Sequence, residues 1–370
     1  MSVRRRHALT LAAAQAALKL KHCEGLIALL DRVRPLNLAS EQARLLQGFE
    51  AGRRPEPELS YAAPLPLGDL RRELSDLATA LDRGETEQKL LAGRARELEL
   101  SAALAERVGA AGFAELAARR FPLPEEPQAM ARLAQQFLTA SPGATPQEDR
   151  EILHISDDQR DPDSLWSHIS RLLSRERFAV RLELAPGLVS LAGVADGVVR
   201  LRPGARLTSR VARRIALHEV EGHVAPRVRG QVLGGAFSAG TAGASEDEEG
   251  RAILLEERAG LLEAGRRQEL GRRYIAAASV REGASFWDTV TLLGQTGATA
   301  SAAIELGCRV HRGGGLGREL IYLTGYCRVA TELARRPELE RVQQNGRISL
   351  SAAAALLEGS IQLDDDGDVV

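Results

Sequence analysis

The 370-residue chain predicts an α+β fold, and three observations carry that prediction. Leucines recur at helical spacing from the N-terminus to about residue 140. Three short apolar runs then lie between residues 178 and 201, separated by turn signals. Helical spacing returns at Leu207 and continues into His218-Glu219-Val220-Glu221-Gly222-His223, a segment holding two imidazoles and a carboxylate.

In the first region Leu26, Leu29, Leu30 and Val33 keep helical spacing until Pro35 stops the run. Leu70, Leu74, Leu77 and Leu81 make a second stripe, and Leu90, Leu91, Leu98 and Leu104 continue it to Phe113. Gly84 and Gly109-Ala110-Ala111-Gly112 mark turns, while 52–68 and 121–128 are proline-rich connectors. Arg4-Arg5-Arg6 ahead of an apolar stretch resembles a twin-arginine export signal. Lys19 and Lys21 interrupt that stretch early, so an amphipathic helix through Leu30 is expected instead.

After Asp161-Pro162 the character changes. Phe178 to Leu184 alternates with period two, Val189 to Val194 follows Pro186-Gly187, and Gly197 to Leu201 ends at Pro203-Gly204. These runs predict a small, largely antiparallel sheet. The expected organisation is a helical region over 1–140, a second region over 141–355, and an acidic tail over 356–370 containing Asp364-Asp365-Asp366-Gly367-Asp368.

Composition narrows the function classes. Hydrophobic residues make up 44% and charged residues 27%, as in globular proteins, and aromatic residues only 4%, so the core must rest on Leu, Ala and Val. A net charge of −1 gives no reason to expect a nucleic-acid partner. No run of about 18 apolar residues predicts a membrane span. Cys23, Cys308 and Cys327 are too scattered for a disulfide framework, and reduced thiols in a cytoplasm are expected.

The chemistry concentrates at His218–His223. In the HExxH signature of zinc peptidases the histidines sit at i and i+4, about 40° apart around a helix, so both reach one Zn²⁺. Here the spacing is i, i+5, which a regular α-helix places roughly 140° apart. Either the pattern is an accident, or a wide π-type turn absorbs the extra residue, with Gly222 supplying backbone freedom. Catalytic zinc takes a third protein ligand. The segment Ser245-Glu246-Asp247-Glu248-Glu249 could provide it, and Ser245 with Glu248 forms a capping-box pattern that starts a helix. A sheet feeding a metal-bearing helix is the arrangement of zinc-peptidase folds, and residues 197–201 are the candidate edge strand for pairing with an extended peptide.

Three segments together resemble a known family. His218–His223 looks like a HExxxH motif, Glu248-Glu249-Gly250-Arg251-Ala252 like [Q/E]EGLA, and Arg309-Val310-His311-Arg312-Gly313-Gly314 with Arg318-Glu319-Leu320-Ile321-Tyr322-Leu323 like RxxRGG…KDxxYL. The chain is similar to the flavohaemoglobin-expression-modulating QEGLA-motif proteins and, more remotely, to the microtubule-associated tyrosine carboxypeptidases. Weaker similarity runs through Pro35-Leu36-Asn37, Tyr61 and Glu97-Leu98 to Gly112-Phe113. Departures are Glu221 where the family has glycine, Arg251 where it has leucine, and Arg318-Glu319 for Lys-Asp.

The resemblance implies a zincin-like catalytic domain over 141–355 and a zinc metallopeptidase, most simply a carboxypeptidase acting on a protein or peptide C-terminus. It implies Zn²⁺ ligands His218, His223 and Glu249, with Glu248 as the alternative third ligand. Glu219 would be the general base, Tyr322 the oxyanion donor, and Arg309, Arg312 or Arg318 the group that grips the terminal carboxylate. Rival readings are a non-enzymatic regulator with a structural zinc and a zinc amidohydrolase acting on a small C-terminal amide or isopeptide.

Overall fold

The structure, a computed structural model, describes residues 11–140, 152–188, 190–195 and 197–359. Arg4-Arg5-Arg6 and the acidic run Asp364–Asp368 lie outside the described residues. The chain divides into two compact units. One comprises the described parts of Ser141–Arg266 and Gly325–Val370; the other joins Gln15–Ala140 with Arg267–Thr324. The excursion over 267–324 is not among the boundaries expected from the sequence.

The N-terminal helices are α1 Leu11–Ile27, α2 Leu29–Arg32, α3 Leu38–Glu50, α4 Gly68–Leu81, α5 Thr86–Ala105, α6 Phe113–Arg120 and α7 Pro127–Leu138. The single helix expected through Leu30 is broken at Ala28, whose φ of 40° is left-handed. Arg32 stabilises the break by donating to the Ile27 carbonyl at 2.8 Å and the Leu26 carbonyl at 3.2 Å, groups that helix α1 leaves unpaired at its end. Leu74 and Ala78 of α4 and Leu91, Ala95 and Ala102 of α5 are buried, giving the aromatic-poor Leu/Ala core that composition required.

In the first unit β1 His154–Ile155 precedes α8 Leu165–Arg175, then β2 Arg181–Leu184, β3 Ala192–Ala195, β4 Val198–Leu201 and β5 Arg206–Leu207. β1 pairs antiparallel with β5. The three-stranded sheet has the order β2-β4-β3, with β4 parallel to β2 and antiparallel to β3. The expected edge strand at 197–201 is therefore the central one. Val198, Val199 and Leu201 are buried, a near-continuous apolar run suited to a strand with neighbours on both sides.

Helix α9 Ser209–Leu217 follows, capped by Thr208, whose hydroxyl accepts from the Val211 N–H. Leu165 and Ile169 of α8, Val199 and Leu201 of β4, and Ala212, Ile215 and Ala216 of α9 form one core with Val220 and Val224. The remaining helices of this stretch are α10 Ala225–Leu233, α11 Gly235–Ala239 and α12 Ala244–Arg258. Then come α13 Ala264–Arg281, α14 Phe286–Gln295, α15 Ala300–Gly315, α16 Leu320–Arg335, α17 Glu338–Gln343 and α18 Leu350–Gly359. Among the described residues no helix is long and apolar enough to cross a membrane.

Candidate metal centre

Beyond Leu217 the helix widens. His218–Val224 is π-helical, and the Ala225 N–H reaches the Val220 carbonyl, five residues back. An i→i+5 ladder brings residues five apart onto one face, so the extra residue between the histidines no longer separates them. The His218 and His223 ring centroids lie 5.0 Å apart. Val220 and Val224 meanwhile stay in the apolar core, which holds the widened turn from the opposite side.

Helix α12 brings the carboxylate. Glu249 Oε2 lies 3.4 Å from His218 Nε2 and 3.7 Å from His223 Nε2. His218, His223 and Glu249 each offer a ligand atom, and these atoms all lie within 4.8 Å of one another. Close packing makes this approach possible. A Cβ at Gly222 would stand 2.7 Å from the Ala252 Cβ, and one at Gly250 would stand 2.2 Å from the Gly325 carbonyl carbon. The glycine and alanine of Glu248–Ala252 thus serve contact between backbones.

A second layer of carboxylates backs the imidazoles. His218 Nδ1 is 2.7 Å from Glu256 Oε1. Glu256 is fully buried and is also within 3.5 Å of Arg214 and 3.2 Å of Arg266. Burial alone would raise the Glu256 carboxyl pKa, but Arg266, His218 and Arg214 outweigh it and bring it to about 2. Burial likewise opposes a charged His218, yet Glu249 and Glu256 raise its pKa to about 10. Glu248 Oε1 approaches His223 Nδ1 at 3.3 Å, without the alignment of a hydrogen bond. Burial disfavours the charged Glu248, but Arg227, His223 and Arg347 hold its carboxyl well below the usual range.

Sequence reasoning identified His218, His223 and Glu249 but missed Glu256. The available signal was spacing: Glu249, Ala252 and Glu256 stand at i, i+3 and i+7, one face of α12. The expected Ser245–Glu248 capping box does not form. The N-cap of helix α12 is Gly243 at φ 75°, two residues before Ser245, and the Glu248 carboxylate turns inward to His223 and Arg227.

Glu219 follows His218 in the widened turn of the first unit, whereas the expected arginines and Tyr322 meet in the second unit around Glu319. Arg309 Nε donates to Glu319 Oε1 at 2.7 Å, and Arg312 Nη2 donates to the same oxygen at 3.3 Å. The Tyr322 hydroxyl accepts from Arg309 at 3.3 Å and from Arg318 at 3.1 Å, and Arg273 stacks 4.7 Å over its ring. Glu319 is fully buried; burial would raise its carboxyl pKa, but Arg312 and Arg309 bring it to about 2. The Arg-Gly-Gly segment has its own packing logic. Gly313 has φ 72°, a Cβ there would meet the Phe113 ring at 2.6 Å, and its N–H donates to the Tyr61 hydroxyl at 2.7 Å. Those are two of the positions where the weaker resemblance lay.

An α+β chain in which a widened helix and its neighbour converge two imidazoles and a carboxylate carries a site able to hold a divalent metal ion. The chain belongs to the microtubule-associated tyrosine carboxypeptidase family, whose model matches residues 47–360. Membership implies a hydrolase of carboxypeptidase type acting on a protein substrate. No curated protein and no solved structure matches the chain.

Proposed function

We propose that this protein is a zinc-dependent carboxypeptidase that removes residues from the C-terminus of a protein or peptide. The observation that carries the reading is the convergence of His218 Nε2, His223 Nε2 and Glu249 Oε2, with each Nδ1 facing a further carboxylate. The donor set fits the ion: two imidazole nitrogens and one carboxylate oxygen make a catalytic zinc set with a fourth position open. A carboxylate behind the imidazole fixes tautomer and ring orientation. The small sheet packed beside the widened helix supports a zincin-like reading of this unit.

Bound Zn²⁺ would supply Lewis acidity, lowering the pKa of a water toward about 7 and polarising the scissile carbonyl. With the ion bound, Glu256 would hold the proton on His218 Nδ1 and leave Nε2 free to be the ligand atom. Glu219, adjacent to His218, takes the proton from the attacking water and delivers it to the leaving amine. Tyr322 as oxyanion donor and an arginine among Arg309, Arg312 and Arg318 as carboxylate ligand are carried by the resemblance. The family's name specifies a C-terminal tyrosine at microtubules; for this chain the proposed class is a protein or peptide C-terminus.

The test is a peptide library with free and amidated C-termini, incubated with zinc-loaded protein and with Glu219→Gln. Release of single C-terminal residues from free termini only, reduced about 10²–10⁴-fold in the variant, is expected. Equal cleavage by Glu219→Gln, or cleavage of amidated peptides alone, would overturn the reading.

A further inference from the structure

Arg251 stands where the family resemblance places a leucine, yet it is almost fully buried. Its Nη2 donates to the Glu221 carbonyl at 3.0 Å and to the Gly222 carbonyl at 2.6 Å. The backbone gives a reason for a side-chain donor at this point. The Ala225 N–H is committed to Val220, so the next donor for Glu221 would be residue 226. Residue 226 is Pro226, which has no N–H. Pro226 is also the i+4 position for Gly222, where an α-helical ladder would draw its donor. A buried carbonyl without a donor is costly, and the guanidinium supplies both bonds from the neighbouring helix.

We infer that Arg251 is a positioning residue: it replaces the N–H that Pro226 withholds and so holds the widened turn that aligns His218 with His223. The consequence for metal binding rests on the zinc reading above; the consequence for the turn does not. Its buried charge has company on the same unit, since Glu248 and Glu340 act on it electrostatically.

The test is a double-mutant cycle of Arg251→Met and Pro226→Ala, which restores a backbone N–H at 226. Hydrogen–deuterium exchange over 218–227 in the metal-free protein reads the turn, and Co²⁺ titration reads the site. Arg251→Met should accelerate exchange at least tenfold (a loss of roughly 1.4 kcal/mol) and weaken Co²⁺ about 10–100-fold. The double variant should recover most of both losses, and Arg251→Lys should fall between. If Arg251→Met alone does not fold, recovery of folded protein in the double variant is the same result. An Arg251→Met defect of equal size with proline or alanine at 226, or failure of both to fold, overturns the inference. Absence of Co²⁺ binding in the wild-type protein would sink the zinc reading and leave the exchange result to decide on Arg251.

Discussion

His218 Nδ1 and Glu256 Oε1 lie 2.7 Å apart, in the interior and on the far side of the imidazole from Glu249. The pair links the cluster of His218, His223 and Glu249 to a fully buried carboxylate held by Arg214 and Arg266. One residue thus contributes to both stability and site geometry, and substitutions can separate the two. Glu256→Gln keeps an acceptor for His218 but removes the charge. It should weaken zinc about 10–100-fold in chelator competition. Glu256→Ala should add a stability loss of about 3–5 kcal/mol, measured by denaturant unfolding, because it strands buried charge.

Gly222 and Ala252 define how closely α12 can approach. Gly222→Ala places a Cβ 2.7 Å from the Ala252 Cβ, so it should cost about 1–3 kcal/mol of stability and lower zinc affinity with it. Ala252→Gly in the same chain should return most of the affinity, a non-additivity expected only of residues in contact.

How far this site could be read in advance depends on which physical signal each residue carries. The i, i+5 histidine spacing with Gly222 between them left a widened turn as one of two readings, and a π-helix is found there. Leucine spacing marked α4 and α5 because burial repeats along a helix. Strand order was not legible: an apolar run at 198–201 reports burial, not which neighbours it pairs with, so β4 passed for an edge. Arg251 registered only as a departure, since its acceptors exist because of Pro226 and the path of a different helix. The excursion over 267–324 depends on long-range packing that local patterns do not encode.

In the second unit Glu319 is the hub of the Arg-Gly-Gly region. Removing it by Glu319→Ala leaves Arg309 and Arg312 without their shared carboxylate and should destabilise the protein by about 3–5 kcal/mol in denaturant titration. Glu319→Gln should cost less, because an acceptor oxygen remains.

His311 provides a pH signature. Its ring lies against Phe286 at 5.8 Å and its Nε2 is 2.9 Å from the Thr289 hydroxyl; burial pushes its pKa from 6.5 down to about 4. As pH falls below about 6.5 the unfolded chain takes up a proton that the folded protein refuses, so stability drops. The loss, about 3 kcal/mol, should be complete near pH 4, below which both states are protonated. Comparing wild type with His311→Gln across pH 7 to 4 isolates the histidine's contribution: the variant's profile should be flatter over that window.

The metal content of the purified protein tests the metal-centre reading most directly. Wild type exposed to zinc and freed of excess should retain one zinc per chain, and His223→Ala, measured in parallel and confirmed folded by circular dichroism, should retain almost none. Wild type without stoichiometric zinc, or His223→Ala that keeps it, would contradict a site built from His218, His223 and Glu249.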